Sequence, residues 1–333
     1  MLKTTRGNDV KKNVEEILKK NPINNIYFVA CGGSLSSLYA SYYLIRNESK
    51  KINASHINAN EFVHATPTNV NENAIVVTYT LSGTPETVEA AKVAKKLGAT
   101  VITISDNEEC PIHKYGTYKW NEGTPKSDVS DADGKIDQTT TAEALSLRLC
   151  FELLKQVDNY KNYAKAMNGF KVLNEVYYRA EKMSRPLALK FAKEHEHEET
   201  IYTMASGALM GKAYCLSICM FMEMLWMHSY AIHNDEFFNG PFEMVERNTP
   251  FVIFMSAGKT RNLDERALKF LQRHTDKLTI IDIREYGVSK IADEVEEYFA
   301  PLIANVMFNY STALSVFKCH PIPERRYMHK FDY

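Results

Sequence analysis

Two stretches of the chain run from an apolar segment into a turn rich in glycine and hydroxyl side chains: residues 26–37 (IYFVACGGSLSS) and 75–87 (IVVTYTLSGTPET). Each pattern predicts a strand, a tight turn and the start of a helix. Unpaired backbone N–H groups and the helix dipole favour an anion at such a place. Two turns of this kind in consecutive βα units point to one phosphate-bearing ligand and to a chain that handles sugar phosphates. Neither turn has the third glycine of a dinucleotide fingerprint or the Gly-Lys-Ser/Thr ending of a P-loop. The competing reading is that glycine and serine serve only turn geometry and helix capping.

A single carboxylate, Glu223, interrupts the otherwise carboxylate-free run from Leu209 to Ile232. The run predicts a long helix that is apolar nearly all round and therefore buried. Burying a charge is costly, so the pKa of Glu223 is expected to rise, which suits a general base near neutral pH. The alternative is a structural glutamate bonded to a neighbouring loop or subunit. On such a helix His228 would stand about 140° round from Glu223 and face elsewhere. His233, near the helix end, and His320, in the carboxyl tail, are further candidates to move a proton. His195 and His197, in the run EHEHEE, read as an exposed, charged helix end rather than as metal ligands.

Bulk properties narrow the classes. A length of 333 residues predicts about two domains. The formal net charge of −1 gives no reason to expect nucleic acid or an anionic membrane surface. No apolar run reaches the ~20 residues of a membrane span, and residues 1–12 lack the apolar core of a secretory signal. The six cysteines show neither C-x-x-C nor zinc-finger spacing, so no metal site is expected and a reducing cytoplasm is the simplest compartment.

Strand and helix patterns alternate along both halves. Strands are expected near 26–30, 52–58, 74–79, 99–105 and 115–120, then again at 200–205, 251–255 and 278–283. Helices are expected at 36–46, 61–65, 85–97, 139–154, 155–184, 209–232, 264–277 and 301–317, and a long polar loop at 121–138. Such alternation predicts an α/β chain of two doubly wound parallel-sheet domains, with ligands beyond the carboxyl ends of the strands. The divisions expected are 1–155, a helical linker 156–190, and 191–333.

CGGSLSS, TLSGTPET, Met222-Glu223-Met224 and Glu236-Phe237-Phe238-Asn239-Gly240-Pro241 together resemble the tandem sugar isomerase (SIS) family, whose domains are flavodoxin-like. The likeness is to the isomerase half of glucosamine-6-phosphate synthase without its glutaminase domain. The tail, His320-Pro321 through Arg325-Arg326-Tyr327-Met328 to Asp332-Tyr333, is similar to the fructosamine-6-phosphate deglycase subgroup. Carried over by motif, the resemblance implies that Gly33, Ser34, Ser36, Thr80, Ser82 and Thr84 form the sugar and phosphate cradle, with Thr87 either a further member or a helix cap. It implies Glu223 as the base. Met220 stands where the synthase relatives tend to have lysine, and Asn239 where the family has the histidine of His-Gly-Pro. Arg325 and Arg326 would bind phosphate or a substrate carboxylate, or form exposed salt bridges.

The activity so implied is a deglycase acting on an amine or amino acid linked to C1 of fructose 6-phosphate. It needs no metal or redox cofactor, and the resemblance implies a homodimer. A phosphosugar isomerase, an aminosugar-phosphate deaminase and a non-catalytic sugar-phosphate sensor are the alternatives.

Overall fold

The computed structural model describes residues 7–124, 134–328 and 330. Residues 125–133 of the expected loop, and residues 329 and 331–333 of the tail, lie outside the described residues. The chain divides into two compact units, Met1–Asn174 and Glu175–Tyr333.

The first unit runs α1 (Gly7–Lys20), β1 (Asn25–Ala30), α2 (Gly32–Ser37), α3 (Tyr39–Glu48), β2 (Asn53–Asn58), α4 (Ala59–His64), β3 (Ala74–Tyr79), α5 (Pro85–Lys96), β4 (Thr100–Ser105), β5 (Tyr118–Asn121) and α6 (Ala142–Asp158). Helix α7 (Tyr163–His195) then carries the chain across the division between the units. Among the described residues the strands form one parallel sheet in the order β2-β1-β3-β4-β5. The strand AIVVTY is buried at every position, as a strand covered by helices on both faces must be. Helix α5 presents Ala90, Ala91 and Ala94 to Val76 and Val101, and these small side chains let it pack close to the sheet. The strand order reverses between β1 and β3, and both glycine-hydroxyl turns leave the sheet at that crevice.

The second unit repeats the plan: β6 (Thr200–Ala205), α8 (Met210–Cys215), β7 (His228–His233), β8 (Phe251–Met255), α9 (Arg261–His274), β9 (Leu278–Asp282), α10 (Glu296–Ile303) and α11 (Met307–Phe317). Its parallel order is β7-β6-β8-β9, so the reversal falls between β6 and β8. Duplication is visible in the backbone. Ala30-Cys31-Gly32 after β1 matches Ala205-Ser206-Gly207 after β6, and both glycines are left-handed, with φ of 51° and 55°. That conformation costs glycine nothing.

The expected helix 209–232 is corrected. A turn of 3-10 helix (Gly207–Leu209) leads into α8, then a π-helix over Leu216–Met224, and the segment from His228 onward is strand β7. Sheet pairing decides this: Ser229 to His233 lie in register with Ile201 to Ala205, which outweighs the helical propensity of an apolar run. The chain reverses at Trp226, whose φ is +56°. The exposed reading of the EHEHEE histidines holds for His197 but not for His195. That ring is buried, stacked on Phe191 at 4.5 Å and bonded through Nδ1 to the Phe191 carbonyl at 2.9 Å.

Candidate active site

The candidate cradle of the first unit is built from its own hydroxyls. Thr80, directly after β3, is buried, and its Oγ1 accepts the backbone N–H of Gly83 at 3.2 Å and of Thr84 at 3.0 Å. The same hydroxyl donates to Thr84 Oγ1 at 3.1 Å. Thr80 therefore shapes the loop from within, while Ser82 is exposed and Thr84 partly so. The loop's outer side is held by Ser105, whose hydroxyl donates to the Leu81 carbonyl at 2.9 Å. Gly83 has a φ of +87°, and a Cβ there would come within 3.1 Å of Pro111, so a side chain at this turn would be strained by the backbone and crowded by its neighbour.

On the neighbouring turn Gly33 and Ser34 are partly exposed, Ser36 is buried, and Ser37 donates to the Gly33 carbonyl at 3.0 Å. Cys31 links the two turns. Its sulfur accepts from Thr87 Oγ1 at 3.9 Å and from Asn58 Nδ2 at 3.8 Å. Thr87 is fully buried, and its hydroxyl is engaged in this contact rather than in a cap of α5. Glu122 was not anticipated. Its carboxylate accepts from Tyr79, the last residue of β3, at 2.6 Å and from the Ala142 N–H that opens α6 at 3.0 Å. Burial pushes the Glu122 carboxyl above its ordinary range, against the pull of those two bonds. Only its place directly after a strand hinted at this from the sequence.

In the second unit Glu223 occupies the last turn of the π-helix. Single π turns often mark functional sites because the wider helix re-aims the side chains that follow. The carboxylate is partly exposed rather than sealed in, and it is not unpaired. Arg325 Nε and Nη2 both bond Oε1, at 3.1 and 2.8 Å. Arg325 Nη1 is spent on the carbonyls of Ile322 and Glu324, at 2.5 and 2.8 Å. Among the described residues no hydrogen bond reaches the other oxygen, Oε2. A cavity of about 620 Å³ opens beside this pair, walled by Met222, Trp226, Met227 and Met328. The Trp226 ring meets His320 edge-on at 4.4 Å and lies under the Arg326 guanidinium at 4.1 Å. The structure thus joins Glu223 to Arg325, and His320 to the wall of the same cavity.

His233 and Asn239 belong to a different constellation, around Asp235. The Asp235 N–H donates to His233 Nδ1 at 3.2 Å, and Asn239 Nδ2 donates to the Asp235 carbonyl at 3.5 Å. The Asn239 loop is anchored by a cluster of Phe237, Phe238, Phe242 and Phe270, with neighbouring ring centroids 5.2–6.4 Å apart. His228, exposed at the start of β7, is not on a helix with Glu223, and instead of facing elsewhere it lines the same cavity. Among the described residues no group of three His, Cys, Asp or Glu side chains is placed to hold a metal ion.

The strand-order reversal of the second unit is closed by its own carboxylate. Asp264 is fully buried and accepts from the Ser206 hydroxyl, from Asn234 Nδ2 at 2.6 Å and from the Ser256 N–H at 2.7 Å. Burial raises the Asp264 carboxyl above its usual range, opposed by those donors and by Arg261.

A repeated flavodoxin-like sheet, with hydroxyl-lined turns at one reversal point, defines the class of tandem α/β sugar-phosphate proteins. Comparison with known proteins agrees. The SIS domain model matches residues 21–125. The chain is 40% identical to fructosamine deglycase FrlB of Bacillus subtilis (strain 168), over 95% of this chain and 94% of that one. It is 27% identical to fructoselysine 6-phosphate deglycase of Escherichia coli (strain K12), over 94% and 88%. A solved structure from Salmonella typhimurium LT2, provisionally described as a phosphosugar isomerase, superposes with a TM-score of 0.93 at 35% identity, covering 98% of this chain and 99% of that one. The chain belongs to the SIS-domain family, in its fructosamine deglycase branch.

Proposed function

We propose that this chain is a fructosamine-6-phosphate deglycase. It splits an amine or amino acid from C1 of fructose 6-phosphate and leaves glucose 6-phosphate. The observation that carries the reading is the end-to-end likeness to FrlB, with Glu223 bordering a cavity and, among the described residues, receiving bonds on one carboxylate oxygen only. Glu223 Oε2 takes the proton from C1, the electrons of that bond form a C1–C2 double bond, and the C2 carbonyl oxygen, taking up the displaced π electrons and a proton from solvent, becomes the hydroxyl of the 1,2-enaminol. A proton delivered to C2 then gives the imine of glucose 6-phosphate. Water adds to C1 of the imine and the amine leaves, so the last step is a hydrolysis. No cofactor is invoked, because the C2 carbonyl accepts the electron pair.

In this reading Arg325 is a positioning residue that holds Oε1 and so aims Oε2. Gly33, Ser34, Ser36, Ser82 and Thr84 receive the sugar and its phosphate, with Thr80 and Thr87 shaping the turns behind them. Asn239 donates a hydrogen bond but no proton at neutral pH, so the proton to C2 falls to a histidine: His320 beside Trp226, His228 on the cavity lining, or His233. A cytoplasmic homodimer completes the proposal. All six cysteines are free thiols, which suits a reducing compartment, and dimerisation follows from the family resemblance.

The test is release of glucose 6-phosphate from synthetic fructosamine 6-phosphates. Glu223→Gln lowers kcat by about 10²–10⁴-fold, the usual worth of a general base, with KM little changed. An active Gln variant removes Glu223 from the mechanism. Isomerisation of free sugar phosphates with no amine release would favour a phosphosugar isomerase, the description attached to the Salmonella structure.

A further inference from the structure

Helix α9 turns its apolar face inward, with Ala267 and Leu271 fully buried, and lays a stripe of cations outward. Arg266, Lys269 and Arg273 follow at spacings of three and four residues, so they share one face of the helix. All three are exposed, and they line one groove of about 470 Å³, a size usual for small-molecule sites. The Arg266 guanidinium lies 3.9 Å over the Phe238 ring, and the His274 ring stacks on Phe270 at 4.3 Å. Stacking restrains a guanidinium while leaving its N–H edges free for an anion.

Little negative charge opposes these cations. The one carboxylate on the groove wall, Glu265, bonds Arg261 at 3.2 Å. Arg266 meets Asp235 at 3.1 Å, an exposed pair of the kind worth no more than about 1 kcal/mol. Among the described residues no carboxylate stands within ion-pair distance of Lys269 or Arg273. Arg266 and Arg273 start about 10 Å apart along the helix axis. Charges spread over that length match a chain of linked phosphates better than a single one. The Phe238 and Phe270 rings are engaged by Arg266 and His274, so recognition falls on the phosphates rather than on an attached base. We infer that this groove binds a chain of linked phosphates, either inorganic polyphosphate or the phosphate end of a nucleotide. It shares no lining residue with the Glu223 cavity or with the hydroxyl turns. Phe238 directly precedes Asn239, so a ligand seated here lies against the loop that carries Asn239.

The experiment is calorimetric titration of the whole protein with tripolyphosphate, at low salt and without substrate or divalent cations. Tripolyphosphate should bind at least about tenfold tighter than inorganic phosphate. ATP should match it within about threefold, and adenosine should not bind. In the double variant Lys269→Gln, Arg273→Gln the affinity should fall by about tenfold or more, the size of one or two charge-assisted contacts. Both side chains are exposed, so thermal unfolding of that variant without ligand should match the wild type. Asp235→Asn releases Arg266 from its ion pair and should tighten binding by about two- to fivefold. Affinity that survives in the double variant places the anion elsewhere, on the hydroxyl turns for instance, and overturns the inference. Equal binding of phosphate and tripolyphosphate overturns it too, as does a preference for hexaglutamate, which would mark a site for acidic peptide.

Discussion

Thr87 and Asp264 stand at corresponding places in the two repeats, and their chemistry is opposite. Each lies in the first turn of the helix that follows the strand across the crevice, α5 after β3 and α9 after β8. Their partners correspond as well. Thr87 meets Cys31, beside Asn58, whereas Asp264 meets Ser206 and Asn234. The first unit therefore surrounds its reversal point with neutral donors and acceptors. The second has placed a carboxylate of its own there, and its donors are already satisfied.

Asp264→Asn should destabilise the protein by about 1–3 kcal/mol, because an amide turns N–H groups toward donors that need an acceptor. The pH dependence has a definite sign. Burial raises the folded pKa of Asp264, so its contribution to stability is complete below its unfolded value near 4 and is lost as pH rises through the folded value. Wild-type stability should thus fall relative to the Asn variant as pH rises above about 4. Urea unfolding across that range checks it, and parallel curves would show that Asp264 is not the group responsible.

Thr80→Val keeps the shape of the side chain but leaves the Gly83 and Thr84 N–H groups without their acceptor. The loop should loosen, with KM for the phosphorylated substrate rising roughly tenfold and a stability loss of about 1–3 kcal/mol. Thr80→Ser should recover most of both. Steady-state kinetics beside thermal unfolding would reveal a merely structural role as a loss of stability without any change in KM.

Asn239→His places an imidazole in a loop whose position is already set by the phenylalanine cluster. If Asn239 faces the reacting carbons, the new acid should raise kcat by about tenfold or more and add a limb to its pH profile near 6.5. An unchanged rate and profile would place Asn239 outside the proton path.

Much of the first unit was legible because its signals are local. Strands such as AIVVTY are rich in apolar and β-branched residues, and the two turns carry their chemistry in adjacent residues. The candidate site in the second unit was legible as a residue but not as an environment. Glu223 stood out as a lone acid, yet its expected burial was replaced by a partly open position beside Arg325, about a hundred positions away in the chain. Glu122 and Asp264 escaped notice for the same reason. A carboxylate in a polar stretch looks solvated until folding surrounds it.

By itself, then, the sequence determined two parallel α/β repeats, the hydroxyl-rich turns and the isolated acid, since periodicity, turn chemistry and the cost of burying charge all act over a few residues. Only the tertiary structure decided that the apolar run breaks after Met224 into a strand, because that depends on pairing with β6. It also decided which hydroxyls face inward, which arginine is already spent and which carboxylate fills the second crevice. Each of these depends on contacts between segments distant in the chain, whose free energy no local pattern records.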